Sequence, residues 1–310
     1  MQETTPPTVI AVDIGGTKVA AAYVTLGENP VVAGRRSLPT ADTGGGDGLI
    51  QAVKDVVSEM LVDPPAPIQG IGVGSAGVVD PETGIITSAT DLIPGWAGSP
   101  LGPALREEFD IPVGVTGDVL AHAMGEDAFG AGRGHASSLA VGVGTGIGGA
   151  FVTEEGVRAG TRGLSGHIGH LRHPLASDLK CSCGREGHVE AISSGTAIAD
   201  EYHRKTGKSL TGREVDEAAQ TDPVAAEVVK TAGRALGESL AGLANSWDPD
   251  VIIISGSVAN SGDLWWDSVR QGFQGQAMDA VRPTPILRGE LGSDAPLLGA
   301  AQFVVSQLPN

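Results

Sequence analysis

Three stretches of the chain hold the residues that can do chemistry. The first is Asp13-Ile-Gly-Gly-Thr17-Lys18, directly after the apolar run Val9–Val12. Gly15 and Gly16 allow a tight turn whose backbone N–H groups come close to an anion. Thr17 adds a hydroxyl donor, Lys18 a positive charge, and Asp13 a carboxylate able to hold Mg²⁺ directly or through water. Such a turn suits a phosphate, although Gly-Gly between two apolar runs is also the mark of an ordinary β-hairpin. The second stretch, Gly142-Val-Gly144-Thr145-Gly146-Ile-Gly148-Gly149, again follows one apolar run and leads into another. The same unit thus occurs twice: strand, glycine turn with a threonine, strand. Two such hairpins facing each other across a cleft can hold the two ends of a triphosphate. A Walker A ending is missing, and strand rather than helix follows, so neither the P-loop nor the dinucleotide fingerprint fits.

The third stretch contains His170, Cys181, Cys183 and His188, four soft or borderline donors of the kind Zn²⁺ takes in a tetrahedron. The two cysteines are the only ones in the sequence. Their Cys-x-Cys spacing is tighter than the usual Cys-x-x-Cys knuckle, and Gly184 and Gly187 permit it. The competing reading is two free thiols among surface histidines. Four protein ligands leave no open position, so the expected zinc is structural; His167 and His173 are nearby substitutes. Outside these stretches, Asp118 stands between an apolar run and a helical pattern. At the carboxyl end of a strand a carboxylate faces the ligand crevice of an α/β sheet. There it can take a proton from an attacking hydroxyl, yet by position alone a helix N-cap is the favoured reading. Gly256, after the apolar run 251–255, allows a flat ring such as adenine to lie against the backbone, or marks an ordinary loop.

Apolar periodicity supplies the elements that must position these groups. Strands are expected at 8–14, 18–26, 30–38, 68–74, 113–116, 138–144, 148–154 and 251–255. Helices are expected at 44–61, 119–129, 213–219, 223–246, 264–278 and 295–308, with 163–195 rich in loops. Three strands in sequence followed by alternation with helices indicate an α/β fold of two related lobes. The chain has 310 residues and 41% hydrophobic content, ample for two cores. Its formal net charge of −17 opposes nucleic acid and anionic membrane as partners. No apolar stretch reaches the roughly 20 residues needed to span a bilayer, and no basic region precedes an apolar one near residue 1. The expected location is cytoplasmic, with no disulfide framework.

Taken together, these pieces resemble the ROK family of sugar kinases and repressors, within the actin-like, hexokinase-like ATPase superfamily. The resemblance spans nearly the whole chain. It is carried by Asp13–Lys18, Gly70-Ile-Gly-Val-Gly-Ser-Ala-Gly77, Pro94-Gly-Trp96, Asp118, Gly144–Gly149, Gly166-His-Ile-Gly-His170, Cys181-Ser-Cys-Gly-Arg-Glu-Gly-His-Val-Glu190 and Ser255-Gly256. It implies two lobes with a ribonuclease-H-like core and a zinc-bound loop. The lobes are expected at 1–117 and 118–294, with 295–310 packing back on the first. It implies ATP with Mg²⁺, Asp118 as general base, phosphate contacts from Asp13, Gly15, Gly16, Thr17, Lys18, Gly144, Thr145 and Gly146, and adenosine near Gly256. Sugar contacts are implied at Gly77, Asp91, Gly117, Asp118, His167, His170 and Glu190, and a homodimer or homotetramer is expected. Repressors of the family carry a DNA-binding domain before the first strand, and only seven residues precede it here.

The departures from the family pattern lie around the sugar. Gly117 stands where kinases of the family usually have Asn, Asp91 where Asn is frequent, His167 where glucose-type members have Glu, and His188 where the zinc loop has Cys. The Gly-His-Ile-Gly-His form is similar to the N-acetylmannosamine kinase branch. The expected substrate is therefore glucose-like or N-acetylmannosamine-like, with an unusual sugar or cyclitol, or a sugar-binding relative without turnover, as alternatives.

Overall fold

Alternation in the first apolar run builds the central strand of the first sheet. In β1 (Thr8–Ile14), Ile10, Val12 and Ile14 join one buried cluster and Val9 and Ala11 another. A period of two sends successive side chains to opposite faces, so this strand is covered on both. The computed structural model describes residues 6–90 and 92–308. A turn leads to β2 (Lys18–Thr25), antiparallel to β1 with Ile14 opposite Val19, and then to β3 (Val31–Pro39). Helix α1 (Gly46–Val62) buries Leu49, Val53, Val57 and Met60 against the face that holds Ile10. Strand β4 (Ile68–Ser75) returns parallel to β1. A small hairpin, β5 (Val78–Val79) with β6 (Ile86–Ser88), and the short α2 (Leu101–Glu108) lead to β7 (Val113–Gly117), parallel to β4. The sheet order is β3-β2-β1-β4-β7. Helix α3 (Asp118–Phe129) follows directly.

The second sheet repeats this plan. It uses β8 (Ser137–Val143), β9 (Ile147–Thr153), the two-residue β10 (Gly156–Val157), β11 (Val251–Ser255) and β12 (Ile286–Arg288), in the order β10-β9-β8-β11-β12. As in the first sheet, the last three strands in that order run parallel. Between β10 and β11 lie the loop-rich stretch, the single-turn α4 (Glu190–Ser193), α5 (Gly195–Thr206), α6 (Gly212–Ala218) and the long α7 (Pro223–Trp247). Asp222 caps α7, accepting from the Val224 and Ala225 N–H groups, with Pro223 at the first helical position. Helix α8 (Asp263–Gln276) packs along α7 and buries Trp265, Val269 and Phe273 in the largest apolar cluster. This is the α/β architecture of two related sheets that the periodicity and the resemblance imply.

The chain does not divide at residue 118. One compact unit contains the chain up to Arg133, the excursion Val152–Ser165, and everything from Glu290 onward; the other contains Gly134–Phe151 and Gly166–Gly289. The expected boundary fails because α3 packs on α9 (Ala295–Val305) and β4. Backbones meet closely there: a Cβ on Gly299 would collide with the Ala121 carbonyl. Within the same unit, the fully buried carboxylate of Glu126 accepts the N–H groups of Glu290 at 3.0 Å, Leu291 at 2.9 Å and Ala131 at 3.3 Å. These three bonds replace the water that a buried carboxylate would otherwise need.

Candidate active site

In the first unit, the Gly15-Gly16-Thr17 turn joins β1 to β2, as a hairpin requires. It is not loose. The Gly15 N–H donates to the Lys18 carbonyl at 2.9 Å, and the Thr40 hydroxyl donates to the Gly15 carbonyl at 2.8 Å. Thr17 and Lys18 are exposed at its tip. Sequence reasoning passed over Thr40, which carries no periodic or motif signal. Leu92 lies beside Gly16, at 3.5 Å from where a Cβ would stand. Asp91, expected at the sugar, lies outside the described residues. Gly77 sits at φ 95°, where a side chain would press on the Ser88 carbonyl, so backbone geometry alone accounts for that glycine.

Asp118 is the first residue of α3, and Gly117 is the N-cap. The cap reading of Asp118 therefore fails: its carboxylate bonds the adjacent Val119 N–H, at 2.8 Å, and its own backbone N–H, rather than a donor in the next turn. Gly74 brings Asp13 and Asp118 together. It pairs with Asp13 across β1 and β4, and the Asp118 Cα lies 3.7 Å from where a Gly74 Cβ would be. Burial pushes the Asp118 carboxyl up to about 7, and the charge on Asp13 adds to this. Burial raises Asp13 to about 6, against the pull of Lys18. Two partly buried acids that both resist ionisation are poised either to share a cation or to move a proton.

In the second unit, Gly144-Thr145-Gly146 links β8 to β9 and closes on itself through a Gly144 N–H to Gly146 carbonyl bond of 2.9 Å. Gly256 follows β11 at φ 93°, where a Cβ would strike the Val143 carbonyl. Only a glycine fits, and it leaves the backbone open beside the turn. A cavity of about 770 Å³ opens here, lined by Gly144, Thr145, Gly212, Ser257 and Asn260 among others. Its α5 and α6 walls escaped sequence reasoning; the capping box of Thr211 with Glu214 marks a helix start, not a pocket.

The loop between β10 and α4 brings the four metal candidates together. The ligand atoms of His170, Cys181, Cys183 and His188 all lie within 4.8 Å of one another. His170 Nδ1 is 3.5 Å from Cys181 Sγ, and His188 Nδ1 is 3.3 Å from Cys183 Sγ. Ligands at zinc bond lengths on a tetrahedron stand about 3.5 Å apart, so the donor set fits Zn²⁺. Burial holds His170 toward the neutral form that a metal ligand needs, and raises the Cys181 thiol. The substitutes are placed elsewhere: His173 bonds Glu238 at 3.0 Å, and His167 stacks on His170 with ring centroids 6.0 Å apart. Glu190 begins α4. Its Oε2 accepts the Ile147 N–H at 2.9 Å and its Oε1 the Ser182 hydroxyl at 2.6 Å.

The sequence matches the family described as ROK over residues 9–307. It is 31% identical to a glucokinase of Halalkalibacterium halodurans over 317 aligned positions, covering 96% of this chain and 95% of that protein. It is also 31% identical to an N-acetylmannosamine kinase of Yersinia pseudotuberculosis, covering 96% of this chain and 99% of that one. Among solved structures, a ROK family glucokinase from Streptomyces griseus in complex with glucose and AMPPNP superposes with a TM-score of 0.79 at 30% identity. That match covers 96% of this chain and 99% of the other.

Proposed function

Since the chain belongs to the ROK family, we propose that it is an ATP-dependent sugar kinase. In this reading it transfers the γ-phosphoryl group to a hydroxyl of a hexose or N-acetylhexosamine, the 6-hydroxyl by analogy. A sugar kinase is what the glucokinase and N-acetylmannosamine kinase relatives support. The observation that carries the chemistry is Asp118, whose carboxyl bonds only local backbone N–H groups, caps nothing, and has a pKa lifted to about 7. A general base works best with a pKa near the operating pH.

Phosphoryl transfer asks the protein for alignment and charge stabilisation more than for covalent help. Asp118 takes the proton of the sugar hydroxyl as that oxygen attacks phosphorus. In this reading Gly15, Gly16, Thr17, Lys18, Gly144, Thr145 and Gly146 bind phosphate oxygens with N–H, hydroxyl and ammonium donors. The cavity beside Gly256 takes the adenosine. Asp13 is suited to hold Mg²⁺, which when bound offsets charge on the phosphates. His170, Cys181, Cys183 and His188 would hold a structural zinc, which would tie the loop together at that point. Gly77, Gly117, His167, His170 and Glu190 are the candidate sugar contacts in this reading.

The substrate is glucose-like or N-acetylmannosamine-like. A Cβ on Gly117 would meet only Leu120, at 3.7 Å, so this position has room that a 2-acetamido group can use. The test is ADP release from ATP with glucose, mannose, N-acetylmannosamine, N-acetylglucosamine and fructose. Turnover of at least one is expected. Turnover of none, with a sugar still raising the thermal midpoint, would replace the kinase by a sugar-binding protein.

A further inference from the structure

The residue between the two cysteines is neither a metal candidate nor a substrate contact in the reading above, yet its hydroxyl reaches both Cys181 Sγ, at 3.9 Å, and Glu190. Ser182 donates its hydroxyl to Glu190 Oε1 at 2.6 Å, among the shortest side-chain bonds of this unit. The other oxygen of the same carboxylate accepts the Ile147 N–H at 2.9 Å. Ile147 is the first residue after Gly144-Thr145-Gly146. A Cβ on Gly146 would stand 2.6 Å from Glu190 Oε2, so the turn lies flat against this carboxylate. A continuous path therefore runs from the tip of the cysteine loop, through Ser182 and Glu190, to the end of the glycine turn.

A carboxylate with two oxygens can accept about four hydrogen bonds. Without Ser182 the Glu190 carboxylate keeps the Ile147 N–H on Oε2, while Oε1 keeps only the long 3.6 Å contact from Cys181 Sγ, a donation that a metal-bound thiolate cannot make; the group is then freer to rotate about its terminal torsion, which is broad for Glu. The Ser182 hydroxyl removes that freedom. Hydrogen bonds to a charged acceptor are the strong ones, and a rigid partner fixes direction as well as distance. The middle position of the Cys-x-Cys segment is itself held once His170, Cys181, Cys183 and His188 converge.

We propose that Ser182 is a positioning residue for nucleotide: through Glu190 it holds the glycine turn in the geometry that binds phosphate, so that the metal loop sets nucleotide affinity. The inference rests on the kinase reading given above. It assigns to the loop a task beyond its own folding. With the link intact, the turn is ordered before ligand arrives, and binding does not have to supply that ordering.

The experiment compares wild type, Ser182→Ala and Ser182→Thr, all as zinc-replete full chains, titrated calorimetrically with Mg·AMPPNP. Zinc content is measured on the same samples, and amide exchange is followed across residues 144–147. Ser182→Ala is expected to keep its zinc, to weaken nucleotide binding three- to tenfold, and to lose exchange protection at Ile147. Ser182→Thr, which keeps the hydroxyl, is expected to restore binding to within twofold. In steady-state assays the alanine variant is expected to raise the KM for ATP more than it lowers kcat. A wild type that binds nucleotide, with Ser182→Ala equal to it in affinity and in exchange, overturns this inference alone. Zinc loss in Ser182→Ala with unchanged exchange at Ile147 overturns it too. A wild type that binds no nucleotide overturns the kinase reading together with it.

Discussion

At the scale of single residues, the carboxyl of Asp118 makes two demands that oppose each other. Its free-enzyme pKa of about 7 means that the base is protonated, and idle, in more acidic solution. The kcat/KM for the sugar is therefore expected to fall tenfold per unit as pH drops below about 7, a profile that reports the free enzyme. Asp118→Asn is expected to lose at least 10²-fold in kcat while still binding sugar; normal turnover in that variant would remove the base assignment. The same residue weighs on stability. Its folded pKa lies above its unfolded value of 3.8, so ionising it costs more in the folded protein. That cost grows from the unfolded pKa up to the folded one and is full above pH 7. Asp118→Asn is expected to melt a few degrees higher than wild type at pH 8, with the gap narrowing at pH 5. Equal melting at pH 8 would show that Asp118 is not desolvated. Gly117 is a milder case. Its φ of −67° and ψ of 147° suit any residue, and its neighbourhood is open. Gly117→Asn is thus expected to fold, and to lower the KM for glucose relative to N-acetylmannosamine by supplying an amide beside the sugar. A kinetic comparison of both sugars would detect an unchanged ratio and so reject a role for this position.

Elements decide what was readable beforehand. The strands β1, β2, β4, β8 and β11 were legible because each is an apolar run bounded by turn residues, and the long α7 because it carries a cap, a proline start and a full amphipathic face. The two-residue β5 and β10 and the three-residue β6 and β12 were not, since such short pieces have no period to detect. The short α2 was missed because its apolar face is interrupted by Gly102 and Pro103. Site residues split along the same line. Glycine turns and the Cys/His loop announce themselves through residue type at close spacing. Thr40, Ser182 and the Thr211 to Asp216 wall reach their partners only through the fold, and common polar residues carry no mark of that. The metal loop gives the element-scale prediction. Its stretch from Gly163 to Val189 has no strand longer than isolated bridges and two single-turn 3₁₀ helices, so scattered backbone bonds, such as His173 N–H to the Gly187 carbonyl at 2.9 Å, and the four converging donors give it its shape. Cys183→Ser, or prolonged chelation, is expected to release zinc and open this stretch to protease while α7 and α8 stay intact. Limited proteolysis that leaves 163–189 uncut after metal loss would contradict this.

The whole molecule shows two sheets of identical strand order, β3-β2-β1-β4-β7 and β10-β9-β8-β11-β12, each with a glycine turn leaving its central strand. The equivalence was legible in the repeated strand–glycine–strand pattern. The division between the units was not, because it depends on which helix packs where, and local pattern does not record that. A boundary at 118 follows the strand pattern; the structure instead gives α3 to the first unit through its packing on α9. The formal net charge of −17 belongs to this scale as well. Among the described residues no helix is long and apolar enough to cross a membrane.

The packing of α9 also sets an order of events during synthesis. Leu297, Leu298, Ala300, Ala301 and Val304 complete one whole face of the first sheet, against Val9, Ala11, Ala22 and Val24. Those four early residues leave the ribosome long before their cover exists. The unit centred on β8 draws its cluster from Leu139 to Ile286 and can close first, although its sequence comes second. The nascent chain therefore carries an apolar β-surface, covered in part by Ala121, until α9 has emerged. That is the circumstance in which a chaperone is needed, and a stalled chain lacking α9 is expected to be retained by one.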